Sequence, residues 1–281
     1  MSHKLLSPLE RGWGEVKQDN VGDFFYDVTK PALQPYNNKI IAMKFLFILL
    51  SAVFSTATFA QQTTVVNDPN AKSRTLNASF SAITVTDGIE LYLSEGQEES
   101  LAVSYSDEKY AEHFKTVVEN GVLKIYYDHN AVNWSDNNRR KLKAYVSFKT
   151  LEKLSASGGA DVKIPSSITV NDLQLKFTSG SDLKGSIKGK SITVEQNSGS
   201  EITLSGSAEK ITVEVSSGAI FKGFDFAVDY CDAKASSGGG VRIAVQKELS
   251  ARANSGGGIH YKGSAVIKDI DINSGGIVKK A

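Results

Sequence analysis

The segment ASSGGGVRIAV, residues Ala235–Val245, joins a glycine-rich turn to a short run of alternating apolar residues. Glycine adopts positive φ without steric cost, so a Ser-Gly pair lets the chain turn sharply between two strands. Ser-Gly pairs recur from residue 157 onward, and seven of them have glycines 22, 19, 19, 20, 18 and 19 residues apart. The predicted turn glycines are Gly158, Gly180, Gly199, Gly218, Gly238, Gly256 and Gly275.

Apolar residues keep a constant distance from these turns. Five residues before the last six turn glycines lie Leu175, Val194, Val213, Ala233, Ala251 and Ile270. Seven residues before them lie Leu173, Ile192, Ile211, Cys231, Leu249 and Lys268. Strands that repeat with inward apolar columns are typical of a parallel β-helix, whose coils stack about 4.8 Å apart. The sequence therefore predicts an all-β fold with repeat coils over residues 151–281, in which Lys268 is the exceptional polar member of a column.

The predicted core has small and large members. Alanines in the columns leave space inside the later coils, and the candidates to fill it are Phe224, Phe226, Tyr230 and Tyr261. Cys231, the single cysteine, lies in an inward column and is predicted to be a buried small hydrophobic residue. An intramolecular disulfide is therefore excluded, and stability must come from packing.

Residues 78–150 are predicted to form an N-terminal strand-rich section. Alternating apolar residues begin at Phe80, and a turn at Asp87-Gly88 separates the first two runs. Asn120-Gly121 lies between two further runs and predicts a hairpin with a type I′ turn. The segment 106–114 begins with a candidate N-cap serine and predicts a short helix.

The segment MKFLFILLSAVFSTATFA, residues 43–60, has the pattern of a secretory signal peptide. Residues 1–42 are interpreted as an extension of the gene model upstream of Met43, the alternative being a cytoplasmic tail on a signal anchor. Residues 61–77 are polar and are predicted to be a linker. We expect export to the periplasm, the outer-membrane surface or the extracellular space, with no stable membrane span after cleavage.

Composition and motifs narrow the function. Thirty-two basic residues against 31 acidic ones give a net charge of +1, which disfavours nucleic acid as a partner. The four histidines have no metal-ligand spacing, no serine lies in a nucleophile elbow, and the glycine clusters lack the Lys-Ser/Thr of a phosphate loop. The sequence thus indicates no catalytic residue, no metal site and no cofactor.

Two features are candidates for ligand binding. Asp161, Asp182 and Glu201 each follow a Ser-Gly turn and are predicted to stack on adjacent coils. Three interpretations remain open for them: a solvated ladder with Lys163 and Lys184, a site for a hard cation, or paired catalytic carboxylates. Trp134, in a polar loop with several basic residues, is a candidate ligand platform or a buried loop aromatic.

The chain resembles a known family over Phe80–Ile277. The resemblance rests on FSAITVTDGIELYLSEGQEESLAVSYSDEKYAEHFKTVVENGVLKIYYD, from Phe80 to Asp128, followed by iterated SGG, SGS and SGA turns. These features are similar to the secreted Bacteroidota proteins called auto-transporter adhesins with a head GIN domain. The resemblance implies a right-handed single-stranded β-helix and export to the cell envelope. It implies no catalytic motif, so no active-site residue is carried over.

We therefore expect a non-catalytic envelope or surface module that recognises a glycan or a surface protein through one long face. An enzyme acting on polysaccharide is the alternative, and a purely structural spacer is a third. The weak charge of the last coils also permits self-association through flat, glycine-rich edges.

Overall fold

The computed structural model describes residues 68–129 and 140–281. A 3₁₀ helix covers Glu108–Tyr110. The strands are β1 (Lys72–Arg74), β2 (Ala82–Val85), β3 (Glu90–Glu95), β4 (Ser100–Ser104), β5 (Phe114–Glu119), β6 (Val122–Tyr127), β7 (Lys143–Phe148), β8 (Lys153–Ala156), β9 (Asp161–Phe177), β10 (Asp182–Gln196), β11 (Glu201–Val215), β12 (Ile220–Ala235), β13 (Gly240–Ala253), β14 (Gly258–Lys262), β15 (Val266–Ile272) and β16 (Ile277–Lys280).

The strands stack in parallel as a β-solenoid, which confirms the predicted all-β coil architecture. Strands β9 to β13 pair in sequence order, and each is long enough to cross both faces of a coil. The first half of β9 pairs with β3 and its second half with β8, while β13 pairs in the same way with β14 and β15. We call the face of the first halves sheet A and the face of the second halves sheet B.

The Ser-Gly pairs form the corner that leads from sheet B into sheet A. At the corner of β9 and β10, Ser179 and Gly180 have φ of 55° and 69°, and Ser181 N donates to Thr178 O at 3.3 Å. Two consecutive positive φ values are the signature of a type I′ turn. The serine therefore adopts the left-handed conformation as well, whereas the sequence predicted a positive φ only for the glycine.

Backbone hydrogen bonds also join each corner to the next coil. Gly180 N donates to Ser198 O at 3.0 Å, and Gly199 N donates to Ser217 O at 3.1 Å. At the first repeat the two positive φ values belong to Gly158 and Gly159. The corners therefore form a hydrogen-bonded column along the solenoid, which fixes the register of the coils.

The opposite corner, where the long strands bend, uses a different glycine conformation. Gly206 has φ of 108°, and a Cβ built on it would lie 2.2 Å from the carbonyl oxygen of Ile187. Gly263 has φ of 111° and the same close approach to Val245. A side chain is excluded at both positions because the neighbouring coil's backbone occupies its space.

Apolar columns fill the space between the two sheets, as predicted. One in-register column is fully buried over five coils, from Leu154 through Leu175, Val194 and Val213 to Ala233. Burial of such columns is the main stabilising contribution to the fold.

Three details of the predicted core are settled. Phe226 is fully buried and fills the interior as expected, but Tyr230 is 40% exposed and does not. Lys268 is not in the inward column, because a register shift between Leu249 and Ser250 places Ile267 opposite Leu249. The β-bulge turns Lys268 outward, where it pairs with Glu248 at 3.0 Å.

The solenoid begins earlier in the chain than the Ser-Gly pairs indicate. β2 and β3 form a coil, and the turn between them, Asp87-Gly88, has φ of 63° and 69° and occupies the same corner. Gly88 N donates to Gly158 O at 2.9 Å, which extends the corner column by one turn. Aspartate stands here where later corners have serine, because both tolerate the left-handed region at a turn.

Other N-terminal strands close this end of the solenoid. The β5–β6 hairpin is antiparallel, and Asn120 and Gly121 have φ of 50° and 73°, as expected for the predicted type I′ turn. The helix predicted over 106–114 is reduced to the three-residue 3₁₀ helix, with Asp107 as its N-cap. Within the segment predicted as a linker, β1 pairs antiparallel with β4.

At the other end, β15 and β16 form the last described coil. Ile270 and Ile272 of β15 are 42% and 47% exposed, although they continue inward columns. The interior of the solenoid is therefore partly accessible to solvent at this end.

Candidate functional site

Two rows of outward side chains run along sheet A. Alternation along each strand places the second and fourth residues after the second positive-φ residue of each corner (Gly159 at the first repeat, Gly180 at the next) on the outer surface, and in-register pairing aligns them from coil to coil. Row 1 consists of Glu90, Asp161, Asp182, Glu201, Ile220, Gly240, Gly258 and Ile277. Row 2 consists of Tyr92, Lys163, Lys184, Thr203, Lys222, Arg242, His260 and Lys279, and β7 adds Tyr145 beside Tyr92.

The three carboxylates predicted to stack are neighbours in row 1. Asp182 pairs in register with Asp161 on one side and Glu201 on the other, so adjacent strands separate them by about 4.8 Å. Glu90 of β3 continues the row beyond Asp161. Glu90 was not predicted from the sequence, because the turn at Asp87-Gly88 lacks the Ser-Gly pair that marks the later corners.

Basic residues of row 2 neutralise part of this acidic segment. Lys163 Nζ lies 2.9 Å from Asp161 Oδ2 and 3.2 Å from Glu90 Oε2. Lys222 Nζ lies 2.5 Å from Glu201 Oε1. Asp182 forms no ion pair with a lysine or arginine in the described part of the chain, so the predicted ladder of opposite charges is interrupted there.

The pKa values of these groups follow their neighbours. The hydrogen bond to Asp161, assisted by Glu90, raises the pKa of Lys163. Burial acts to raise the pKa of Glu90, but hydrogen bonds from Tyr92 and Lys163 overcome it and the net pKa is lowered. Burial raises the pKa of Asp182, and the charges of Glu201 and Asp161 add to this shift. Asp182 thus holds its proton more strongly than an ordinary aspartate does.

The row geometry bears on the cation hypothesis. Within residues 68–129 and 140–281, no group of three or more His, Cys, Asp or Glu side chains is arranged to hold a metal ion. Asp161, Asp182 and Glu201 lie along a line on a flat surface, so they do not surround a common point as calcium ligands do.

Two stacked tyrosines mark the N-terminal end of row 2. The rings of Tyr92 and Tyr145 are 5.0 Å apart at 18°, and Lys163 Nζ lies 5.4 Å from the centre of the Tyr92 ring. Tyr92 OH donates to Glu90 Oε2 at 2.9 Å, and Tyr145 OH donates to Asp68 Oδ2 at 2.8 Å. Burial and the bond to Asp68 raise the pKa of Tyr145, so both hydroxyls are neutral and fixed in position.

The C-terminal end of row 2 has a different character. Arg242, His260 and Lys279 form no side-chain hydrogen bond or ion pair with any described residue, and Gly240 and Gly258 stand beside them in row 1. These residues were not predicted from the sequence. Counting four residues forward from the later turn glycines would have found them, since the spacing after the turns was followed only as far as Glu201.

Sheet B also carries outward charged side chains, and its rows mix both signs of charge. Its ion pairs across neighbouring coils are Lys176 with Glu195 at 3.4 Å, Arg252 with Asp232 at 3.2 Å and with Asp269 at 3.6 Å, and Lys268 with Glu248 at 3.0 Å. Glu214 and Lys234 are neighbours of opposite sign on the same face. The C-terminal part of row 2 on sheet A differs in that it carries basic residues alone.

The remaining candidates contribute little chemistry. Cys231 is 5% exposed, and burial raises the pKa of its thiol to about 12, so it is protonated and enclosed at neutral pH. Trp134 lies outside the described residues. No helix among the described residues combines the length and apolar character that crossing a bilayer requires.

A β-solenoid with in-register rows of outward side chains belongs to the class of repeat proteins that present an extended, rigid surface. The chain is a member of the family described as "Putative auto-transporter adhesin, head GIN domain", whose model matches residues 79–265. This confirms the resemblance noted in the sequence. Membership supports a cell-surface, adhesin-like role. No curated protein sequence matches the chain.

Solved structures share the fold. A putative adhesin from Bacteroides fragilis is 17% identical with a TM-score of 0.65, covering 75% of this chain and 96% of its own. A putative adhesin from Parabacteroides distasonis is 18% identical with a TM-score of 0.61, covering 76% and 98%. A putative lipid binding protein from the same species is 24% identical with a TM-score of 0.55, covering 75% and 97%. At these identities the likeness concerns the fold.

Proposed function

We propose that this protein is an exported, non-catalytic surface module that binds a glycan through sheet A. The observation that carries the proposal is row 2, an unbroken line of outward side chains from Tyr145 on β7 to Lys279 on β16. It crosses nine consecutive strands, a length of about 40 Å at the spacing of adjacent strands. Many weak contacts can add up along such a rigid row.

Sheet A is favoured over sheet B because its unpaired basic residues are neighbours in one row. Lys184, Arg242, His260 and Lys279 have no partner among the described residues, and the last three are consecutive in register. On sheet B, basic and acidic side chains are interleaved, as Glu214 and Lys234 are. Unpaired donors on a flat face are free to bind the hydroxyl and carboxylate groups of a sugar chain. The predicted signal peptide at residues 43–60 supports export.

A matched pair of substitutions on β11 tests which face binds. Thr203 lies in row 2 of sheet A, and Thr212 lies on the outer surface of sheet B, on the same strand. We expect Thr203→Trp to weaken binding of the full chain to a glycan array about tenfold or more, because the indole obstructs row 2. Thr212→Trp should bind as the unsubstituted protein does. Equal loss in both variants, or loss only in Thr212→Trp, would contradict the assignment to sheet A.

The alternative of a polysaccharide-active enzyme is tested in the same samples. Incubation with uronic-acid and neutral glycans should release no products. Product release that disappears in Asp161→Asn or Asp182→Asn would overturn the non-catalytic proposal, since those side chains are the adjacent carboxylates. Binding only to a protein or to lipid vesicles, or no binding at all, would overturn the glycan assignment.

A further inference from the structure

The C-terminal part of sheet A carries a short row of basic residues with no acidic partner among the described residues. Arg242 pairs in register with His260, and His260 with Lys279, so these residues form a line about 10 Å long. We call these three residues the basic segment. None of them forms an ion pair or side-chain hydrogen bond with another described residue, although the whole chain has a net charge of only +1.

The charge of the basic segment is uncompensated because row 1 changes composition beside it. Where earlier coils have Asp161, Asp182 and Glu201, the last coils have Gly240 and Gly258. Lys163 and Lys222 each have a carboxylate within 3 Å. Arg242 and His260 have bare backbone at the corresponding place.

The glycine at this position is not required by the fold. In the sequence Gly238-Gly239-Gly240, the first residue has φ of 74°, and a Cβ on the second would lie 2.7 Å from the carbonyl oxygen of Val215. Gly240 has neither constraint, because its φ is not positive and a Cβ would meet nothing within 4 Å. Gly258 is equally unconstrained. A side chain would fit at both positions, so the bare backbone leaves open space next to the cations.

We propose that the basic segment, together with the open backbone at Gly240 and Gly258, binds a glycan that carries carboxylate groups. The inference rests on the proposed function and names the ligand class for one part of sheet A. A sugar ring lies on the bare backbone, and its carboxylates meet the guanidinium of Arg242 and the ammonium of Lys279. Exposed side chains of Ile220 and Ile277, at 38% and 55%, border this backbone in row 1 and contact the apolar face of the sugars.

The size of the basic segment favours a glycan over other polyanions. Duplex DNA is held by about 6–10 phosphate contacts, and anionic membranes by clusters of about 4–8 lysines and arginines. Two cations, Arg242 and Lys279, with a histidine between them are too few for either surface. They match a single flexible chain that places carboxylates about 10 Å apart.

The test introduces acidic side chains at the two glycine positions of row 1. In the double variant Gly240→Glu/Gly258→Glu, carboxylates stand two residues before Arg242 and His260 on the same strands, as Asp161 stands before Lys163. In the matched control Gly240→Gln/Gly258→Gln, side chains of the same size carry no charge. Each full-length protein is titrated with oligogalacturonate and with a neutral gluco-oligosaccharide by calorimetry, and thermal unfolding confirms that both variants fold.

We expect the unsubstituted protein to bind oligogalacturonate more tightly than the neutral sugar, and binding to weaken as salt is raised. The glutamate variant should lose at least about tenfold in affinity relative to the glutamine control, because the new acids neutralise the cations. Equal affinity of the two variants would overturn the inference. Equal affinity of the unsubstituted protein for single-stranded DNA and oligogalacturonate would also overturn it.

The outcomes also separate this inference from the proposed function. Binding of neutral glycans that Thr203→Trp weakens, with no preference for oligogalacturonate, would leave the proposed function standing and refute the acidic ligand. No binding to either class of sugar would refute both.

Discussion

Lys222 Nζ donates a hydrogen bond to Glu201 Oε1 at 2.5 Å, and this ion pair is the last one along sheet A among the described residues. On its N-terminal side, row 1 carries the carboxylates from Glu90 to Glu201. On its C-terminal side, row 1 carries none, and the cations of row 2 continue alone. One pair therefore divides the outer face into a largely neutralised half and a basic half.

Replacing a glycine should lower the free energy of unfolding more at a corner, where φ is positive, than on a strand, where it is not. Gly218 has φ of 73° and open space around its Cβ position, so Gly218→Ala costs only the left-handed conformation, about 1–2 kcal/mol. Gly240→Ala has no such strain and should leave stability unchanged or slightly increased. Urea denaturation of both variants measures the difference, and an equal effect would contradict the turn assignment.

The interior of the later coils should depend on one aromatic side chain. Phe226 is fully buried, so Phe226→Ala should destabilise the protein by about 3–5 kcal/mol through lost burial and the cavity left behind. Tyr230 on the same strand is 40% exposed, and Tyr230→Ala should cost about 1 kcal/mol or less. Comparable losses of melting temperature in the two variants would show that the coils pack differently.

Protonation of Asp182 should make the free energy of unfolding depend on pH. Its pKa is raised by burial and by Glu201 and Asp161, so the folded state holds the proton more strongly than the unfolded state. The stabilisation from this proton is present below the unfolded pKa of about 3.9 and is lost as pH rises through the higher folded pKa. At pH 7 the charged carboxylate therefore destabilises the fold, by less than about 1 kcal/mol because the group is exposed.

Asp182→Asn should consequently be more stable than the unsubstituted protein at pH 7, and the difference should vanish near pH 3. Asp161→Asn is the control with the opposite sign at pH 7, because it removes the ion pair with Lys163. Thermal melts across this pH range measure both. A destabilised Asp182→Asn at pH 7 would contradict the crowding of the three carboxylates.

Cys231 should be chemically inert in the folded protein. Burial raises the pKa of its thiol to about 12, and only 5% of the residue is exposed. A thiol reagent at pH 8 should therefore label it only after the protein is unfolded in urea. Rapid labelling without urea would show that the coil around Cys231 opens readily.

Several parts of the fold follow from local sequence. The corners were predictable because consecutive left-handed residues require glycine and small polar residues, which the Ser-Gly pairs and Asn120-Gly121 provide. The inward columns were predictable because side chains alternate across a strand. The first coil was missed, since its corner uses Asp87 and its strands are separated from the next coil by the inserted β4–β7 segment.

The candidate site depended on contacts between coils. The stacking of Asp161, Asp182 and Glu201 was expected from spacing, but the lack of an ion pair at Asp182 within the described residues and the role of Glu90 were not. Lys268 illustrates why contacts between coils are hard to predict from spacing. A β-bulge places it on the outer surface, although its distance from the turn glycine predicted an inward position.

By itself, the sequence determined that this protein is a coiled stack of strands with glycine corners and an apolar interior, because turn conformation and side-chain alternation are properties of adjacent residues. Only the tertiary structure decided which outward side chains become neighbours. Coils of 18 to 22 residues absorb their differences in bulges and bends, so the alignment of charges across strands is fixed by the hydrogen-bonded register. That register brings Glu201 to Lys222 and leaves Arg242, His260 and Lys279 without a counter-charge.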